Sequence, residues 1–465
     1  MAGISGVLSI ASRALWASQM GVEVTSHNIA NMNTEGYIRQ NLVLAPEVPI
    51  QSAGLFLGTG VQVSDISSVQ DRYLNYQMFV ATSLLGFRNS ESDGLTTLQE
   101  IFNESDEVGL SVDLGDFFAS WQDLSANPEN EAPRVGVVGA ARVVVNQFHL
   151  MNERLRDVQN SANNAVKDYV TQINNLARQI AELNDKVAAI EVSGQSAGDF
   201  RATRTQRMKE LAELVDFHTF EDSRGQATII LAGGSPLVES NAVGSLELTG
   251  NVDGFYDVQF VSAGGQANDI TAGISGGKLG GALVTRDTHA RNLIDRLDEM
   301  AYELVNAVNT QHAVGFGLNG STGLDFFAPL ASSADASRMI EVDALITADS
   351  NNIAASASGA PGDNQNAIAV SAIENALIFN GGTWTFQDTF SSIVGEIGVD
   401  AQAAIRDVSH QQTMTNQLVN LRESVVGVSL EDEMSNLMKY QFSYQAASRL
   451  FTVVDEMLQT LSELR

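Results

Sequence analysis

The sequence predicts a mainly α fold with a β-rich inserted domain, drawn out as an elongated multidomain rod whose N- and C-terminal helices pair as a coiled coil. Three observations carry this reading. Both ends of the chain repeat apolar or small residues at alternating spacings of three and four. A long central stretch holds one apolar helical face, and one internal segment switches to period-two alternation punctuated by glycine.

At the N-terminus Ile4, Leu8, Ala11, Leu15, Ser18, Val22, Thr25 and Ile29 form a heptad seam on one amphipathic helix. Residues 31–64 lack helical period and contain Pro46, Pro49 and several glycines, so they read as loop and short strand. Helical pattern resumes near Ser67 and runs to Phe102 with breaks at Gly86 and Gly94. A shorter segment closes at Trp121, and Asn127-Pro128 marks a turn or a new start. A long helix follows Pro133, with Leu155, Tyr169, Ile173, Ile180 and Ile190 on one face. Its two consecutive steps of four, Ala165 to Tyr169 to Ile173, are a stutter that locally unwinds a supercoil.

From 217 to about 274 the pattern differs in kind. Residues 228–231, 245–248 and 256–261 alternate between glycine-bearing turns, which indicates a small β-rich unit. Helix returns from Leu279 to about His312, a glycine-rich loop passage follows, and helix resumes from about Asn366. At the C-terminus Leu437, Tyr440, Tyr444, Ala447, Phe451, Val454, Leu458 and Leu461 restore the three-four alternation. Ser429 and Asp432 precede them as a capping-box variant, and Glu431 and Glu433 supply acid where the helix dipole favours it. The division is therefore a terminal coiled-coil domain (1–66 with 426–465), a helical rod domain (67–216 with 278–425) and a small β-rich domain (217–277). Small and polar seam members, Ala11, Ser18, Thr25 and Ala447 among them, weaken the terminal pair. It is expected to order when neighbouring subunits supply apolar surface.

Composition excludes several functions. The 465 residues carry 26 basic and 56 acidic side chains, a net charge of −30. Phosphate-binding surfaces need the opposite balance, so no nucleic-acid partner is expected and an anionic membrane is disfavoured. The absence of Cys excludes disulfide scaffolds, thiolate metal sites and cysteine nucleophiles. No apolar run approaches the roughly 18 residues of a spanning helix, so no membrane insertion is expected. The first residues lack the layout of a cleavable secretion signal.

Motif matches give no catalysis. The G-x-G-x-x-G string from Gly315 to Gly320 follows a helix, whereas a dinucleotide fold needs a preceding strand. None of the six His has another at i+4, the spacing that presents two metal ligands. Ser275 sits in a G-x-S-x-G string, but no α/β sheet of hydrolase size surrounds it, and the string reads as a connector. No catalytic, cofactor-binding or metal residue is assigned, and the chain is expected not to be an enzyme.

The informative segment is Asn28-Ile29-Ala30-Asn31, followed by Asn33-Thr34, Gly36-Tyr37 and Arg39-Gln40. Its Asn and Thr side chains suit the end of a helix, and Gly36 permits a left-handed turn. The string closely resembles the N-terminal signature of the axial rod and hook proteins of the bacterial flagellum. Tyr37 with Arg39-Gln40 resembles the form found in the hook-associated protein 1 family, whereas hook and rod proteins usually have Phe and Lys. His27 stands where that family commonly has Asn, and Met32 where a small residue is usual. The closing run Tyr440-Gln441, Tyr444-Gln445-Ala446-Ala447, Arg449 and Asp455-Glu456-Met457-Leu458 is similar to the family's last helix.

The resemblance implies a secreted structural protein of the extracellular flagellum, at the hook–filament junction. The implied partners are copies of itself in a ring, the hook protein, a second hook-associated protein and an export chaperone at the C-terminal helix. Export would run through the flagellar type III apparatus. On this reading Leu8, Leu15, Val22, Ile29, Leu437, Tyr444, Phe451 and Leu458 form the assembly seam, and no cofactor is implied.

Overall fold

In a computed structural model of the chain, the described residues are 2–34, 36–52, 55–68, 71–103, 109–193 and 195–463. Helix α1 (Ala2–Ala30) leads into a long two-stranded ribbon of β1 (Gln40–Pro46) and β4 (Val61–Ser68). The ribbon's far end is a smaller hairpin of β2 (Ile50–Ser52) and β3 (Leu55–Leu57). The loop and short strand expected over residues 31–64 are found as these strands and their connections, and helix α2 starts only at Arg72 (Arg72–Ile101). Asp71 caps it by accepting from the Leu74 amide at 3.0 Å.

Helix α2 is unbroken through Gly86 and Gly94, which corrects the expected interruptions. Both glycines serve close packing. A Cβ at Gly86 would strike the Glu213 carbonyl, and one at Gly94 would strike the Thr285 side chain. Likewise Trp121 does not close its helix: it lies inside α3 (Leu110–Ala126), fully buried. There it meets Phe117 and Phe326 edge-on.

The spine of the molecule is α4 (Glu131–Glu191), 61 residues long, which begins two residues before Pro133 and so places that proline in its first turn. Helix α5 (Gly198–Leu214) folds back against its second half and leads into the β-rich insert. The insert has two antiparallel sheets. One orders β5 (His218–Glu221), β6 (Ala227–Leu231), β7 (Ser235–Glu239) and β8 (Ala242–Val243). The other orders β9 (Ser245–Gly250), β10 (Tyr256–Val261) and β11 (Ala267–Asp269) as β11-β10-β9.

Three asparagines spaced along α4 fasten these sheets. Asn163 accepts from the Tyr256 amide, Asn174 bonds both the amide and the carbonyl of Leu246, and Asn184 does the same for Ala227. Amide side chains can do this because each both donates and accepts, satisfying backbone groups in a dry contact.

The chain returns through α6 (Gly277–Val284), one π-helical turn at Thr285–His289, and α7 (Ala290–Ala313). Three short helices follow: α8 (Ala336–Met339), α9 (Ala344–Ala348) and α10 (Gln365–Ser371). Helix α11 (Phe386–Val426) is capped by a reciprocal Thr385/Asp388 box and lies along α2. Helix α12 (Leu430–Glu463) then runs back beside α1.

Among the described residues there are two cores. One packs α3, the first half of α4, α7 and the start of α11; the other packs the second half of α4, α5, α6 and both sheets of the insert. The α1–α12 pair contributes a buried residue to neither and packs mainly on itself. The predicted mainly α, elongated fold with a β-rich insert and paired terminal helices is the fold observed.

Candidate functional site

Helices α1 and α12 are antiparallel. Asn28 meets Glu433, and seven residues earlier on α1 Gly21 meets Tyr440, seven residues later on α12. The inner face of the pair is built from small residues. Ala11, Ser18, Gly21 and Thr25 are buried on α1, opposite Ala447 and Val454. Gly21 matters most, since any Cβ there would overlap the Tyr440 ring.

The expected single seam is therefore two-sided. Its small members pair within the chain, and its large members form a flank beside that contact. Leu8, Leu15, Val22 and Ile29 are half-buried, as is Leu437. Tyr444, Phe451 and Leu458 are exposed, at 45%, 39% and 40% of their surface. The side chain of Leu461 lies outside the described residues.

Where the pair meets the rest of the molecule, the signature string folds into a polar clasp. Helix α1 ends as Asn31 Nδ2 donates to the His27 carbonyl at 3.0 Å, and Thr34 donates to Asn31 Oδ1 at 3.3 Å. Gly36 turns the chain at φ 79°. Ile29 is half-buried and Ala30 and Asn33 are exposed, without a clasp contact.

Asn28 is the centre. Its Oδ1 accepts from the Tyr37 hydroxyl at 2.7 Å and the Gln40 amide at 3.0 Å. Its Nδ2 donates to the Gln40 carbonyl at 2.8 Å and to Glu433 Oε2 at 3.1 Å. Arg39 closes the other oxygen of Glu433, with Nε at 2.8 Å and Nη2 at 2.7 Å from Oε1. Every hydrogen-bonding position of the Asn28 amide is filled.

The Tyr37 hydroxyl spends its proton on Asn28, so at 3.0 Å from His27 Nδ1 it accepts, which puts the proton of that imidazole on Nδ1. Partial burial, with Asp199 and Glu433 nearby, pushes the Tyr37 phenol up to about 12, so it stays a donor. The Gln40 side chain reaches Asp199 on α5 at 2.6 Å and ties the clasp to the rod.

Of the signature residues, Asn28, Tyr37, Arg39 and Gln40 converge, while Asn31, Thr34 and Gly36 shape the turn that brings them together. Sequence reasoning missed Glu433 as their common partner, having read it only as a helix-dipole residue. Its spacing from Ser429 is that of an ordinary first-turn acid, and nothing local marks it as the carboxylate that α12 buries to 2% exposure.

The other motif residues serve local structure. The Ser275 hydroxyl donates to Asp216 Oδ2 at 3.1 Å, and the same carboxylate accepts from the Gly276 amide, so it organises the start of α6. His218 bonds Tyr76 instead of Ser275. Gly315 to Gly320 is a tight turn after α7, with Gly320 at φ 82°. Among the described residues no three His, Asp or Glu side chains gather as metal ligands. Among the described residues no helix is long and apolar enough to cross a membrane.

Comparison with known proteins agrees with this anatomy. The family model described as the flagellar hook-associated protein FlgK helical domain matches residues 95–327, half of the chain. Residues 8–37 match the flagella basal body rod protein model, and 424–464 match the C-terminal model of flagellar basal body rod proteins. These two short matches cover most of the helix pair and, of the clasp, Asn28, Tyr37 and Glu433.

The chain is 28% identical to flagellar hook-associated protein 1 of Bacillus subtilis, over 97% of its own length and 96% of the relative's. It is 25% identical to the Escherichia coli protein of the same name, over 99% of this chain and 100% of that one. In fold it is similar to the flagellar hook junction protein FlgK from Burkholderia pseudomallei, with a TM-score of 0.68 at 15% identity, covering 75% of this chain and 100% of that structure. The chain belongs to the flagellar hook-associated protein FlgK family, structural proteins of the bacterial flagellum.

Proposed function

We propose that this chain forms the junction between the hook and the filament, as a ring of identical subunits outside the cell. The observation that carries the reading is the flank beside the terminal helix pair: Tyr444, Phe451 and Leu458 are exposed there next to half-buried Leu8, Leu15, Val22 and Ile29. Large apolar side chains exposed along one face gain by being covered, and neighbouring subunits are the cover. The clasp fixes the register of the pair, so that the stripe is presented as one surface.

On this reading the chain divides into the terminal domain (1–66 with 426–465), the rod domain (67–216 with 278–425) and the β-rich domain (217–277). It contacts the hook protein on one side of the ring and a second hook-associated protein on the other. It is exported by the flagellar type III apparatus, with a chaperone holding α12 before assembly, and it catalyses no reaction.

Deletion of the gene followed by electron microscopy is the test. Hooks without filaments, with flagellin shed into the medium, are expected. Normal filaments in the deletion strain would refute the junction role.

A further inference from the structure

We propose that the β2–β3 hairpin docks on the large-residue flank of the α1–α12 pair of a second copy of this chain. Each subunit then gives its hairpin to one neighbour and its flank to the next. The inference rests on the ring reading above and names the element that covers part of the stripe.

The hairpin pairs Ile50 with Leu57 and Gln51 with Phe56. Ile50, Leu55 and Phe56 are 54%, 68% and 74% exposed. Two strands alone are marginal in water, and bare apolar strands invite association, so a hairpin of this composition needs a cover. Its base is anchored on one side of α1. Glu47 pairs with Arg13 at 2.5 Å, and the Glu47 amide donates to the Gly60 carbonyl at 3.0 Å. Gly60 itself packs against Ile10.

At about 100° per residue, Leu8 and Leu15 lie on roughly the opposite side of α1 from Ile10 and Arg13. The α12 part of the stripe shares the Leu8/Leu15 side. From the Gly21/Tyr440 contact, one residue along α1 reaches Val22 and four along α12 reach Tyr444. Because the helices are antiparallel, these steps turn in opposite senses and bring both side chains to one face of the pair. The hairpin's base and the flank therefore lie on different sides of α1, and within one chain the hairpin leaves Tyr444, Phe451 and Leu458 exposed. Side-by-side copies can bring the two together.

Charge favours a second copy as the occupant. Residues 48–60 carry no Asp, Glu, Lys or Arg in a chain of net charge −30, and the flank's large residues are uncharged with Asp455 beside Phe451 and Leu458, a carboxylate that an uncharged hairpin meets without repulsion. These are surfaces on which two such chains meet with least repulsion. Since the two surfaces differ, the contact is head-to-tail, and head-to-tail contacts generate rings or helical stacks.

The chain has no native Cys, so paired cysteines test the contact directly. Flagella would be isolated from cells whose own copy is replaced by the Leu55→Cys/Phe451→Cys variant and mildly oxidised. A ladder of covalent multimers is expected, absent from either single variant. In parallel, Leu55→Ser/Phe56→Ser should leave the melting of the purified chain unchanged and lower its incorporation into flagella at least tenfold.

The docking is overturned if oxidised flagella yield monomer only and the serine variant incorporates normally. It is also overturned if the Leu55→Cys chain cross-links instead to a cysteine placed in the hook protein or in the second hook-associated protein. Either result leaves the junction reading intact. That reading fails separately, if the deletion strain keeps its filaments.

Discussion

Gly21 and Tyr440 interlock: the tyrosine ring fills the place where a side chain on Gly21 would stand. The contact sets how closely α1 and α12 approach and fixes their mutual register. It accounts for a glycine in the interior of a long helix, where it costs about 1 kcal/mol of helix stability relative to alanine.

Gly21→Ala is therefore expected to push the helices apart in spite of its better propensity. Hydrogen exchange should quicken at Ala447 and Val454, while the two main cores keep their protection. Tyr440→Leu combined with Gly21→Ala should restore part of it. Equal protection in wild type and Gly21→Ala would show that the helices are held by something else.

The clasp yields a graded series. Tyr37→Phe removes the hydroxyl's hydrogen bonds to Asn28 and to the exposed His27 and should cost about 1 kcal/mol. Arg39→Ala leaves the buried Glu433 carboxylate without its cation and should cost about 3 kcal/mol. Arg39→Lys should fall between, because an ammonium has no second guanidinium nitrogen to place on Oε1. Hydrogen exchange of α12 measures all three. A flat series, or one in which Tyr37→Phe is the worst, would remove the clasp from the account.

Stability should also depend on a buried histidine. His312 Nδ1 donates to the Leu324 carbonyl at 2.7 Å, and its Nε2 accepts from the Ala354 amide at 2.9 Å, so the ring is neutral. Burial lowers its pKa, and the nearby Arg134 charge adds to this. Since the folded pKa lies below that of the unfolded chain, the contribution is complete above about pH 6.5 and is lost as pH falls below it, by at most about 1.4 kcal/mol per pH unit. The stability gap between wild type and His312→Gln should shrink between pH 7.5 and pH 5. A constant gap would mean that His312 is not the group responsible.

Local periodicity carried much of this fold into view. The two terminal seams, the long α4 and the alternating strands of the insert all announce themselves, because burial on one face writes a repeat into neighbouring residues. Gly86 and Gly94 misled for a physical reason: in isolation a helical glycine is a weak point, and only the packed structure places Glu213 and Thr285 against them. Asn28, Tyr37, Arg39 and Gln40 stood out as a string, but what joins them is Glu433, about 400 residues away along the chain. No local pattern could name it. Likewise Asn163, Asn174 and Asn184 look like polar residues on a solvated helix until the insert closes over them.

Leu458 and Val454 are four residues apart on α12 and differ in what covers them. Val454 is buried against α1, whereas Leu458 lies on the open flank. Val454→Asp would put a carboxylate into the dry face of the pair and should release α12 in the purified chain, at a cost of several kcal/mol to the α1–α12 contact. Leu458→Asp keeps its carboxylate in water in the isolated protein, so melting and α12 exchange should match wild type. In the assembled flagellum the same carboxylate would be enclosed by a neighbour, and incorporation should fail, leaving hooks without filaments. Secretion of the variant into the medium must be normal, which separates failed assembly from failed export. If Leu458→Asp cells swim normally, the flank is not an assembly surface at that position; if Leu458→Asp also loosens α12 in the purified chain, the leucine belongs to the intrachain contact after all.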